Sequence, residues 1–119
     1  GEMTGIIDFG DMVYTFQVVE PSVAMAYAAL KHSEPYDAIS TLLKGYHSVY
    51  PLRESELAAS IYLMCTRLCI TVSMAAWRKK LFPDNSYLTI SESSAWNLLR
   101  KMQKEDLAGW SDRLIQYAR

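Results

Sequence analysis

From Leu57 to Trp77 the chain carries a single charged residue, Arg67. Leu57, Ile61, Met64, Leu68, Val72 and Ala75 recur at helical spacing, and Tyr62, Cys65, Cys69 and Ala76 form a second apolar stripe beside them. The pattern predicts one helix from about Glu54 to Lys80, roughly 40 Å long at about 1.5 Å per residue. A helix apolar over so much of its circumference is expected to be surrounded, which makes it the spine of the domain. The same stretch is long enough to cross a bilayer. Against that, Arg67 sits at its centre, where a charge costs about 2.5–3.5 kcal/mol, and Ser60, Thr66, Thr71 and Ser73 dilute it further. The expectation is therefore a central helix of a soluble domain, with no membrane partner.

Other helices flank the spine. Val19, Val23, Ala26, Tyr27 and Leu30 predict a first helix over about Val18 to Lys31, with Pro21 tolerated only in its first turn. Ser33-Glu34-Pro35 breaks and restarts the chain, and Ile39, Leu42, Leu43 and Tyr46 mark a second helix that fades before Pro51. After a turn at Pro83-Asp84-Asn85, Ser91 is placed to cap a helix with the face Ala95, Leu98, Leu99 and Met102. Leu107, Trp110, Leu114 and Ala118 give a last, shorter one. The fold class expected is mainly α, about five helices in a single unit, preceded by one strand at Thr4 to Phe9 carrying β-branched Ile6 and Ile7. That strand has no partner in the sequence, and a lone strand is not stable.

Composition narrows the function. The chain has 119 residues, half of them hydrophobic, and a formal charge of -1. Nucleic-acid binding needs clustered Lys and Arg, and the one basic run, Arg78-Lys79-Lys80, reads as a solvated helix end. The two cysteines, with His32 and His47 as the only histidines, make a poor zinc set and are expected to pack as small hydrophobes. No signal peptide opens the sequence, so a reducing cytoplasm is the expected compartment.

The chemistry concentrates at Gly5-Ile6-Ile7-Asp8-Phe9-Gly10-Asp11. A carboxylate at the tip of a strand, with glycine bending the backbone behind it, is how kinases hold the magnesium that bridges nucleotide phosphates. A Gly-rich phosphate cover, a phosphate-pairing lysine and a catalytic loop with its Asp and Asn do not precede it here. The chain thus reads as the C-terminal piece of a phosphotransferase, inactive by itself. The apolar surface left bare is expected to drive homo-oligomerisation.

These features resemble the aminoglycoside phosphotransferase and choline kinase-like family, and within it the branch of hydroxylysine kinase and its bacterial relatives. The likeness rests on Gly5 through Thr15, Glu20 with Ala24-Met25-Ala26-Tyr27, Gly45-Tyr46-His47, Tyr50-Pro51-Leu52 with Glu56-Leu57, Arg67-Leu68, and Pro83-Asp84-Asn85 with Tyr87-Leu88. It implies a two-lobed kinase-like fold, of which residues 1–17 would supply a strand and metal-binding loop and residues 18–119 a helical subdomain closing the acceptor pocket. It further implies Mg2+, ATP or GTP as phosphate donor, and a small-molecule hydroxyl acceptor. Asp8 matches the family's magnesium-binding aspartate. Asp11 reads either as a second metal-orienting acid or as a solvated turn residue, and Ile7 either as lying under the nucleotide base or as a core strand residue. Glu20 matches an acidic position that braces the catalytic loop, with Pro21-Ser22 replacing the usual small apolar continuation.

For the acceptor, Arg67 has two readings: a fork for a carboxylate, or a structural tie to Glu20 or Glu56. Tyr46, His47 and Trp77 serve either as pocket walls facing an amino cation or as ordinary core and rim aromatics. A non-catalytic helical interaction module, or a degenerate kinase-like scaffold, is the competing class.

Overall fold

A computed structural model describes every residue of the chain except Asp8 and Asp11. Five helices follow one another: α1 (Val19–Ala29), α2 (Pro35–Val49), α3 (Glu54–Leu81), α4 (Glu92–Met102) and α5 (Leu107–Ala118), with a 3-10 turn at Ser86–Thr89 between α3 and α4. α3 is the common partner: α1, α4, α5 and the 3-10 turn all pack on it, while α2 packs on α1 and α5.

The first predicted stripe is the seam of the molecule. Leu57, Ile61, Met64, Leu68, Val72 and Ala75 are all buried. Leu57 through Val72 of this set meet Met25, Ala26 and Ala29 of α1, Ala95, Leu98 and Met102 of α4, and Trp110 and Leu114 of α5 in one continuous core. Tyr36 of α2 meets Trp110 edge-on at 5.1 Å between ring centroids, a geometry that aromatic quadrupoles favour. The Ser111 hydroxyl donates to the Ala58 carbonyl at 3.0 Å, tying α5 to α3.

Local rules explain the helix ends. Pro35 opens α2 at its first position, where no backbone N–H is required. The Glu56 carboxylate accepts the Arg53 backbone N–H at 2.8 Å, closing the start of α3. Glu54 and Glu56 lie in that first turn and Arg78, Lys79 and Lys80 in the last, the arrangement that complements the helix dipole. Asp106 caps α5 by accepting the Gly109 N–H at 3.0 Å. A Cβ at position 109 would crowd that same carboxylate, which would have to shift from its capping position.

Three expectations are corrected. The strand over Thr4 to Phe9 is not formed among the described residues; residues 1–7 and Phe9 have no regular structure and are exposed. Its apolar side chains have no second strand in this chain to pair with. The second stripe of α3 faces outward: Tyr62, Cys69 and Ala76 are exposed and Cys65 is half-buried. α1, α4 and α5 leave this side of the spine uncovered, and beyond Ala75 every residue to Leu81 is exposed. Ser91 does not cap α4 through its side chain; its backbone is already helical, at φ -95° and ψ -4°.

The two thiols have different surroundings. Burial, with a smaller contribution from neighbouring Cys69, pushes the Cys65 thiol up to about 11. Because the thiolate is the reactive form, iodoacetamide near pH ~8 should alkylate exposed Cys69 well before Cys65. Peptide mass spectrometry over time checks the order, and equal rates would contradict the packing of α3.

Candidate functional site

A cleft with converging polar groups lies along the outer face of α3, between α1 and the 3-10 turn, and is bounded by the start of α4. Its volume is about 530 Å³, within the roughly 300–1,000 Å³ range of small-molecule sites. Ile70, Met74 and Ala75 of α3 give it an apolar floor, Tyr27 of α1 and Tyr87 form aromatic walls, and Arg67, Arg78 and Glu92 supply charge. Helical spacing puts Arg67, Thr71, Met74 and Arg78 on one face of α3, with the two arginines three turns apart, roughly 16 Å along the axis. The cleft is therefore elongated, with one guanidinium toward each end.

Arg67 is the chemically distinctive group. Its Nη2 donates to the Tyr27 hydroxyl at 2.8 Å, and the guanidinium carbon lies 5.5 Å from the Tyr27 ring centroid. Its Nε is buried and has no hydrogen-bond partner among the described residues. A buried donor left unpaired costs about 1–3 kcal/mol, more for a charged group, so such a group calls for an explanation beyond packing. The structural tie foreseen for Arg67 is not made with either acid. Glu56 pairs with Arg53 at 3.3 Å, an interaction that holds its carboxyl below the usual range chiefly through the Arg53 side-chain hydrogen bond. Glu20 is exposed in the first turn of α1. The partner is Tyr27, which the spacing argument assigned to the apolar face of α1 and which is 49% exposed. A phenol on an otherwise apolar stripe was the available signal.

The remaining candidates do not converge on this cleft. Tyr46 is half-buried and packs against the core from α2. Trp77 stands exposed on α3, outside the cleft lining. His47 has a local duty: its Nδ1 accepts the Leu52 backbone N–H at 3.0 Å, bracing the turn from α2 into α3. Ile7 is 88% exposed and so is not a core residue. Asp8 and Asp11, the metal candidates, lie outside the described residues, and among the described residues no cluster of three or more metal-ligating side chains occurs.

Comparison with known proteins gives the chain relatives. It is 33% identical to the hydroxylysine kinases of Bos taurus and Mus musculus over 102 residues, 85% of this chain and 27% of each relative. It is 26% identical to that of Danio rerio over the same length. No protein-family model and no solved structure matches the chain significantly. Over most of its own length the chain is a sequence relative of hydroxylysine kinases, small-molecule kinases of which it spans about a quarter, 27%.

Proposed function

We propose that this chain is the helical part of a small-molecule kinase, one that transfers the terminal phosphoryl group of ATP or GTP to a hydroxyl on an amino alcohol, a hydroxyamino acid or an aminoglycoside-like acceptor. The observation carrying the reading is the 33% identity to hydroxylysine kinases, spread over 85% of the chain. The helical architecture is compatible with an acceptor-side subdomain, and the opening motif supplies the acids such a reaction needs. Kinship with the wider aminoglycoside phosphotransferase and choline kinase-like family is part of the same proposal.

The donor set at Asp8 and Asp11 suits the metal chemically, because carboxylate oxygens are hard ligands of the kind magnesium takes together with phosphates and waters. When bound there, magnesium neutralises phosphate charge that builds during transfer. Asp8 is the carboxylate that would hold it, with Asp11 orienting its shell. The acceptor oxygen forms a bond to the terminal phosphorus while the bond to the bridging oxygen breaks and the nucleoside diphosphate departs. The hydroxyl proton passes to a base contributed by residues outside these 119. Positioning and charge placement do most of the work in such transfers.

The direct test supplies the full-length protein carrying this sequence with ATP, Mg2+ and 5-hydroxylysine, and with lysine as the control lacking the hydroxyl. Mass spectrometry should find one phosphate on hydroxylysine and none on lysine, and the 119-residue chain alone should give no product. No phosphorylation of hydroxylysine, of an amino alcohol or of an aminoglycoside would overturn the kinase reading and leave a helical interaction domain.

A further inference from the structure

We infer that the cleft along α3 is a carboxylate-anchoring pocket for an amino-acid acceptor, and that Tyr27 is a placeholder its carboxylate displaces from Arg67. The inference rests on the kinase reading for the identity of the ligand as an acceptor, but its geometry stands apart from it. A guanidinium offers a carboxylate two parallel N–H donors, and Nε with Nη2 is one such edge. Here that edge is half-used. Nη2 is satisfied by the Tyr27 hydroxyl and Nε by nothing among the described residues. A single phenol oxygen takes one of the two donors on that edge.

Tyr27 is suited to leave. Its ring is about half exposed and rests on the cleft rim, so swinging it outward opens no core. An entering carboxylate would meet both donors at once, giving the buried Nε the partner it lacks. The rest of the ligand has complementary surroundings: Ile70 and Met74 offer apolar contact to a methylene chain, and Glu92 brings a carboxylate suited to an ammonium. Glu92 opens α4, where a negative charge is also favoured by the helix dipole. The lining thus carries two cations and one anion: Arg67 for the acid group of the ligand, Glu92 for its amine, and Arg78 as a second guanidinium on the same face of α3. Each of these residues belongs to this chain, so the pocket can be tested in it directly.

Titration calorimetry of the chain would use three probes: 5-hydroxylysine, its methyl ester and inorganic phosphate. Hydroxylysine should bind at least about tenfold more tightly than the ester, since a hydrogen-bonded charge pair is lost with the carboxylate. Arg67→Lys keeps the charge and loses the fork; it should weaken hydroxylysine about tenfold and leave the ester unchanged, removing the preference. Tyr27→Phe is the distinguishing variant. It should bind hydroxylysine more tightly than the unaltered chain, because no hydrogen bond has to break, even as its denaturation midpoint falls. A purely structural Arg67–Tyr27 tie predicts the lower midpoint with no gain in affinity.

Equal binding of ester and hydroxylysine overturns the inference, as does unchanged binding in Arg67→Lys, or phosphate binding more tightly than hydroxylysine through Arg67. The two readings fail separately. Carboxylate-dependent binding without phosphoryl transfer in the full-length protein removes the kinase and keeps the pocket. Transfer without carboxylate dependence removes the pocket and keeps the kinase.

Discussion

Replacing Leu68 with alanine should destabilise the chain by about 2–5 kcal/mol, the range for emptying a buried leucine site. Leu68 is 1% exposed and sits in the middle of α3, the helix on which α1, α4 and α5 all pack. A cavity there lies at the meeting of several elements, so no single helix can shift to fill it without dragging on another. Domains of this size have total stabilities of about 5–15 kcal/mol, so the loss is a large share of what holds the fold. Ile70 gives the internal comparison. It lies two positions further along the same helix but is 47% exposed on the cleft floor, and Ile70→Ala should cost well under half as much. Urea denaturation of both variants reads the two midpoints. If Ile70→Ala proves the more costly, the buried seam has been assigned to the wrong side of α3.

That seam was plain in the sequence because six apolar residues at helical spacing leave little choice of which side faces inward. The restart at Pro35 and the reach of α3 from Glu54 were equally legible, since a proline acts on the nearest few backbone groups, whereas the cap that Asp106 makes on α5 was not foreseen. What could not be read was how much of α3 the rest of the chain can cover. Tyr62, Cys69 and Trp77 are as apolar as the buried set, yet their burial depends on how many other elements exist, a property of the whole and not of the helix. The same reason removes the strand at Thr4 to Phe9: β-branched residues favour extended structure, but a ladder needs a second strand.

The site was half legible. Arg67 stood out as the one charge between Leu57 and Trp77 of α3. Tyr27 did not, because its partner lies forty residues away in sequence and only the packing of α1 on α3 brings the hydroxyl to the guanidinium. His47 misled in the opposite sense: an imidazole among aromatics suggested a pocket wall, and the side chain instead accepts a backbone N–H five residues on.

Asp8→Ala in the full-length protein should lower turnover by about 10²–10³-fold or more, as expected when an oriented charge contributing about 3–4 kcal/mol to the transition state is removed. If the proposed Arg67 cleft holds the acceptor, the loss should appear in kcat, with the KM for hydroxylysine little changed. Stability should hardly move. The flanking Ile7 and Phe9 make no part of the core of these 119 residues, so the helical bundle does not depend on this segment. This pairing of a large kinetic effect with a small thermodynamic one separates a metal-holding carboxylate from a turn residue, which would show neither, and from a structural acid, which would show both. Asp11→Ala sharpens the contrast: a residue that orients the metal's shell should cost less turnover than Asp8 and raise the Mg2+ concentration needed for half-maximal rate. Asp8→Ala retaining near-normal kcat at saturating Mg2+ would remove the metal role from this motif. The kinship with hydroxylysine kinases would stand, but its metal site would then have to be sought in other residues of the protein.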